Sequence, residues 1–210
     1  AAQEGKGGLD IERYQEIEDE LQGVVRRLTT CGMHVHVGVP TPELAVSLMG
    51  QLKAFLPVML ALSTSSPFWR GRDTGLKSYR LTVFDSLPRT GLPLDLEDHS
   101  AYVRYVERLA SCGLLKDASK LWWDLRPSQR FSTLEMRVTD TCTRLEDTLA
   151  ITALYFCLHA KFYRLQEEGL SWPSYPSHLI KENRWRAQRY GLERGMIDFG
   201  REAITEGPRL

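Results

Sequence analysis

The chain has 210 residues, 42% of them hydrophobic, which is enough for one substantial core or two small ones. Lys+Arg and Asp+Glu both number 27, so the formal net charge is zero. That balance leaves no global electrostatic case for nucleic acid or for an anionic membrane.

Residues 1–9 read as a loop or tail. Ile11, Tyr14, Ile17, Leu21, Val24 and Leu28 recur at three- and four-residue spacing and predict an amphipathic helix from Asp10 to Leu28. A strand follows through Cys31-Gly32-Met33-His34-Val35-His36-Val37-Gly38-Val39. Thr41-Pro42-Glu43 then starts a second helix, with Thr as cap and Pro in the first turn. That helix runs through Leu44, Leu48, Leu52 and Phe55 and is expected to kink at Pro57. Its most apolar run, Ala54 to Leu62, is short of the ~20 residues that a membrane helix needs. From Ser63 to Pro93 the chain is polar, aromatic and rich in Gly and Pro, a long loop of the kind that usually carries function.

Tyr102, Val103, Val106, Leu109 and Ala110 predict a further helix. A strand over Leu121 to Arg126 ends at Pro127, and the loop Ser128 to Ser132 joins it as a hairpin to the strand Thr133 to Asp140. A long helix is expected from Leu145 to Gln166 and a basic one from His178 to Tyr190, stopped by Gly191. Strands and helices do not alternate as in regular βαβ winding. The expected class is α+β, with an antiparallel or mixed sheet and helices on one face. Cys31, Cys112, Cys142 and Cys157 form no CxxC pair and no disulfide framework, and with no signal segment in view the expected compartment is the reducing cytoplasm.

Two strands carry the chemistry. Side chains alternate along a strand, so Met33, Val35, Val37 and Val39 share one face and His34 and His36 the other. In the second strand Leu134, Met136 and Val138 oppose Glu135 and Arg137. Imidazole suits a divalent metal, carboxylate is a hard oxygen ligand, and guanidinium grips phosphate in a fork. The bland alternatives are a polar outer face and an ordinary Glu–Arg ion pair. Asp124 and Arg126 also share a strand face, either as a structural ion pair or as a substrate contact. Gly71 to Ser78 is not a phosphate loop: three residues, not four, separate the glycines, and Leu76 stands before Lys77. A turn with Gly75 at positive φ is expected there instead. Lys181, Arg184 and Arg186 read as a solvated helix face, and His99, His159 and His178 as isolated packing or surface residues.

Several motifs in one order then resemble a known family. They are Cys-Gly-Met-His-Val-His-Val-Gly (31–38), Leu62 to Trp69 with Gly71 and Asp73-Thr74-Gly75, and Ser78-Tyr79-Arg80. Trp123 to Ser128, Leu134 to Asp140 and Asn183 to Ala187 follow. They are similar to those of the bacterial carboxylate–amine ligases of the glutamate–cysteine ligase family, from Glu12 to about Gly191. The resemblance implies a glutamine-synthetase-like catalytic domain over residues 1–210, incomplete at both ends. It implies use of ATP and Mg²⁺ or Mn²⁺ to form an acyl phosphate that an amine displaces, in glutathione biosynthesis. The carboxylate would be glutamate and the amine cysteine.

Residue by residue, it implies His34 and Glu135 at the metal, Glu135 and Arg137 in catalysis, and Arg137 with Arg126 at the nucleotide phosphate. His36 and Arg80 would line the substrate. It leaves room for a homo-oligomer and implies neither nucleic-acid nor membrane partners. The family's N-terminal Glu-x-Glu strand is not found before Asp10, so a central fragment is expected, with a non-catalytic binding piece as the alternative. A His-x-His metal hydrolase is a further alternative; it would need ligands at later strand ends, whereas the later histidines fall in a loop or on helices.

Overall fold

In the computed structural model the described residues are Arg27 and residues 30–205, and those from Cys31 onward belong to one unit. Apart from Arg27, the helix expected over Asp10 to Leu28 lies outside the described residues, as does the tail over residues 1–9.

The centre is a three-stranded antiparallel sheet of β1 (Val35–Gly38), β6 (Leu125–Pro127) and β7 (Thr133–Met136), ordered β1-β7-β6. Register places Val35 opposite Met136, and Val37 opposite Leu134, so both apolar sets fall on one face. Val35, Val37, Leu134, Met136 and Leu125 are all buried. Burying each such side chain stabilises by roughly 1.5–3 kcal/mol. Among the described residues two helices cover this face, α1 (Pro42–Leu52) and α5 (Leu145–Glu167), and Tyr155 of α5 donates its hydroxyl to the Leu134 carbonyl at 3.3 Å. Pro127 lacks an N–H and sits on β6, an edge strand, where none is needed for the ladder.

α1 starts as expected, with Thr41 Oγ1 accepting from the Leu44 amide at 3.2 Å. It does not simply kink at Pro57. A 3₁₀ turn over Lys53–Phe55 separates it from α2 (Leu56–Ser63), and Pro57 sits in the first turn of the new helix. The proline ring would clash with the carbonyl four residues back, so the ladder breaks there, one turn before Pro57 itself. The whole stretch Pro42–Ser63 is long and apolar enough on composition to cross a membrane, more so than Ala54 to Leu62 alone. Of its most apolar window, 72% is buried inside the fold, as in a core helix.

The long loop is ordered by short elements. β2 (Phe68–Trp69) and β3 (Arg72–Asp73) pair across a turn with Arg70 and Gly71 at positive φ, and Gly75 has φ 73°. α3 (Arg80–Phe84) and β4 (Thr90–Gly91) follow, and then α4 (His99–Ser111). The strand read over Leu121 to Arg126 is bent at Asp124. It divides into β5 (Trp122–Trp123), parallel to β4, and β6. α6 (Ser177–Tyr190) ends at Gly191, whose φ is 55°. Two short strands, β8 (Ile197–Asp198) and β9 (Ala203–Ile204), close the described chain. The fold is α+β, with small antiparallel sheets and one parallel pair.

Candidate functional site

Glu135 lies mid-sheet. Register sets His36 across from it on β1 and Arg126 across from it on β6. Period-two alternation adds His34 and Arg137 to the same face. The five side chains meet at one carboxylate. Glu135 Oε1 is 2.6 Å from Arg137 Nη1, 3.2 Å from His34 Nδ1 and 3.6 Å from His36 Nε2, and Oε2 is 2.9 Å from Arg126 Nε. His36 Nδ1 is also 2.9 Å from Thr133 Oγ1.

This face is less open than alternation alone suggests. The histidine side chains are 36% exposed, but those of Glu135, Arg137 and Arg126 are only 5%, 11% and 14% exposed. The Phe84 ring lies 5.9 Å from the Arg137 guanidinium, and Arg126 Nη1 donates to the carbonyls of Ser119 and Leu121. Burial works to raise the Glu135 pKa, but His34, Arg137 and Arg126 outweigh it and hold the carboxyl well below the usual range. Burial, reinforced by the charge of Arg126, pulls the Arg137 pKa below that of a free guanidinium. Arg137 nevertheless stays charged.

One carboxylate among two guanidiniums and two imidazoles leaves an excess of positive charge and donors. Arg137 Nε is buried with no hydrogen-bond partner among the described residues. A buried donor left over in a charged cluster is suited to an incoming oxygen anion.

The cluster fits a divalent metal only in part. His34 turns Nδ1 to Glu135, which leaves Nε2 as the coordinating nitrogen with a carboxylate behind it. Both Glu135 oxygens are already engaged, and Mg²⁺ prefers several oxygens. No group of three or more His, Cys, Asp or Glu that could hold a metal occurs among the described residues.

Arg80 stands apart from this cluster. It is 4% exposed and donates to the carbonyls of Arg137 (2.9 Å) and Val138 (3.3 Å), from behind the strand end. Burial lowers its pKa, opposed by Asp140. Asp140, fully buried, accepts from the Ser66 and Ser78 hydroxyls and the Ser65 amide, and so ties the long loop to the end of β7.

Arg184 does not lie on a solvated face. It is 7% exposed, bonded to Asp124 through Nε (2.6 Å) and to both oxygens of Asp85 (2.7 Å each). Burial alone would lower its pKa, but the two carboxylates outweigh that and raise it. Asp124 is thus a structural ion-pair partner, of Arg184 and not of Arg126. Sequence reading passed over Phe84, Asp85, Lys53 and this role of Arg184. The Asn-Arg-Trp-Arg run was visible, but its partners are distant in the chain.

Residues 4–205 match the glutamate–cysteine ligase family 2. A protein of Rhodospirillum rubrum, provisionally named glutamate–cysteine ligase 2, is 57% identical over 194 residues, which is 92% of this chain and 50% of that protein. Proteins of the same provisional name from Jannaschia sp. and Paracoccus denitrificans are 52% and 51% identical over 96% and 95% of the chain, and 53% of each relative is covered. The chain spans about half the length of the curated relatives it matches.

Proposed function

The chain belongs to glutamate–cysteine ligase family 2, and from that premise we propose that the whole protein is an ATP- and Mg²⁺- or Mn²⁺-dependent carboxylate–amine ligase built on a glutamine-synthetase-like catalytic domain. The relatives' names point to glutamate as the carboxylate and cysteine as the amine. A carboxylate oxygen attacks the terminal phosphorus of ATP, the bond to the ADP oxygen breaks, and an acyl phosphate forms. The amine nitrogen then attacks the acyl carbon, phosphate leaves, and the nitrogen loses its proton.

The observation that carries this reading is the Arg126–Glu135–Arg137 row with its unpartnered Arg137 Nε. Phosphoryl transfer asks the protein mainly for position and fixed positive charge, not for a covalent nucleophile. Arg137 offers Nε to an oxygen of the transferred group, and Arg126 supplies a second charge next to it. Glu135 holds both guanidiniums in place. His34 and His36, the most exposed members of the cluster, line the approach. A divalent metal, if bound, would supply Lewis-acid stabilisation of the charge on the transferred group. His34 through Nε2, with Glu135 behind it, is where this chain would contribute to holding it. Arg80 takes a positioning part, fixing the backbone at Arg137 and Val138.

The test is phosphate release from ATP by the full-length protein. Release should require a carboxylate, an amine and Mg²⁺ or Mn²⁺ together. Zinc-dependent hydrolysis indifferent to ATP would reject the ligase reading in favour of a metal hydrolase.

A further inference from the structure

Three arginines meet at one ring where α6 ends. The guanidinium carbons of Arg194, Arg189 and Arg186 lie 4.6, 5.1 and 5.8 Å from the centre of the Tyr190 ring. α6 delivers two of them. Arg186 stands four residues before Tyr190, on the same helix face, and Arg189 directly precedes it. The chain then turns at Gly191, where φ is 55°, and brings Arg194 back to the ring. The Glu193 amide donates to the Tyr190 carbonyl at 3.0 Å and closes that turn.

The charge gathered there is not balanced. A guanidinium stays protonated at any working pH. None of the three arginines forms an ion pair with a described residue. The acids near them are engaged or turned elsewhere: Glu193 pairs with Lys77, Asp198 with Arg201, and Asp73 accepts from the Gly75 amide. Glu182, one turn before Arg186, is exposed and bonds to no described residue. The carbonyl end of α6 supplies only about half a negative charge. The chain as a whole is neutral, 27 charges against 27, so the excess is local.

Two of the three side chains are held in advance. Arg186 Nε donates to the Gly195 carbonyl at 2.8 Å, and Arg189 Nη1 to the Gly75 carbonyl. Gly195 is itself tightly seated, since a Cβ there would stand 1.4 Å from the Thr205 carbonyl oxygen. Both Nη atoms of Arg186, and Nε and Nη2 of Arg189, have no partner among the described residues and are open to solvent. Arg194 is exposed and donates to no described residue. Each guanidinium fork takes one phosphoryl or carboxylate group through parallel bonds. Forks spaced around one ring suit two linked oxyanion groups better than a single one. A diphosphate concentrates more charge in that span than a dicarboxylate of the same length.

We propose that Arg186, Arg189 and Arg194 form a binding site for a small polyvalent phosphate, a diphosphate group held between the forks around Tyr190. None of His34, His36, Arg126, Glu135 and Arg137 belongs to it, and the site does not rest on the ligase reading.

Calorimetric titration of the full-length protein with inorganic diphosphate tests this. Ionic strength is fixed and Mg²⁺ is omitted, so that no metal carries the anion to the Arg126–Glu135–Arg137 row. Diphosphate should bind, and sulfate should bind more weakly. Arg194→Gln, at an exposed position outside α6, should weaken diphosphate by about tenfold to a hundredfold, the worth of hydrogen bonds to a charged group. Arg194→Lys keeps the charge without the fork and should recover part of the loss, and Arg137→Lys should leave this affinity unchanged. Methyl diphosphate, esterified at one end, identifies the source of the group. Affinity equal to that of diphosphate marks a group carried on a larger molecule, affinity well below it marks the free ion, and both uphold the site. The proposal is overturned if wild type does not bind diphosphate, if sulfate binds as tightly, if Arg194→Gln binds like wild type, or if Arg137→Lys abolishes binding.

Discussion

Gly32 lacks a side chain where the Arg80 guanidinium needs the space: a Cβ at residue 32 would stand 2.3 Å from Arg80 Nη2. Arg80 cannot swing aside, because its nitrogens are bonded to the carbonyls of Arg137 and Val138 and the residue is buried. Gly32→Ala should therefore destabilise by about 1–3 kcal/mol, the usual cost of overpacking. Urea unfolding measures it, and a midpoint equal to wild type would show that Arg80 is not held as described.

Arg137→Lys keeps the charge but loses Nε and the planar fork. In the full-length enzyme turnover should fall by on the order of 10²–10³, the typical cost of one preorganised contact. The side chain is covered by Phe84, so the melting temperature should drop a little as well. Near-wild-type turnover would remove Arg137 from the phosphate contact.

Glu135→Gln leaves Arg126 and Arg137 without their shared anion. Breaking a buried pair in this way typically costs about 3–5 kcal/mol. The sign of the pH effect follows from the depressed carboxyl pKa. The stabilisation from ionised Glu135 is complete above the unfolded carboxyl pKa and is lost as pH falls towards the folded one. Urea midpoints followed into acid should accordingly decline less steeply in the Gln variant than in wild type.

His159 on α5 is 4% exposed, edge-on to Tyr155, and its Nε2 has no partner among the described residues. Burial lowers its pKa. The unfolded chain takes up the proton near the ordinary value of about 6.5, and the folded chain only at lower pH. Stability from this residue is therefore complete above that value and declines as pH falls below it. His159→Phe, which cannot titrate, should flatten the urea-midpoint profile from pH 6.5 downwards. An unchanged slope would mean that His159 is not the group responsible.

Much of the site was legible because a strand has only two faces. Once His34, His36, Glu135 and Arg137 were assigned to polar faces, the antiparallel register had little choice but to bring them together. Local signals served equally well at Thr41, whose hydroxyl caps α1, and at Gly75 and Gly191 with positive φ. What failed was long-range. Arg184 looked solvated because its helix is basic, while Asp124 and Asp85 lie 60 and 99 residues away. The covering of Arg137 by Phe84 is also a contact between distant segments, which no periodicity announces. The bend at Asp124 has a similar origin: its amide bonds to the Gly91 carbonyl, pulling β5 towards β4 and away from β6.

Asp124 also ties the end of β7 and the helix α6 to one residue. Its carbonyl restrains the Arg137 amide, and its carboxylate grips the Arg184 guanidinium. Arg184, sixty residues on from Asp124, is thereby an anchor for the backbone beside Arg137, so the α6 guanidinium and the strand end share one mechanical support.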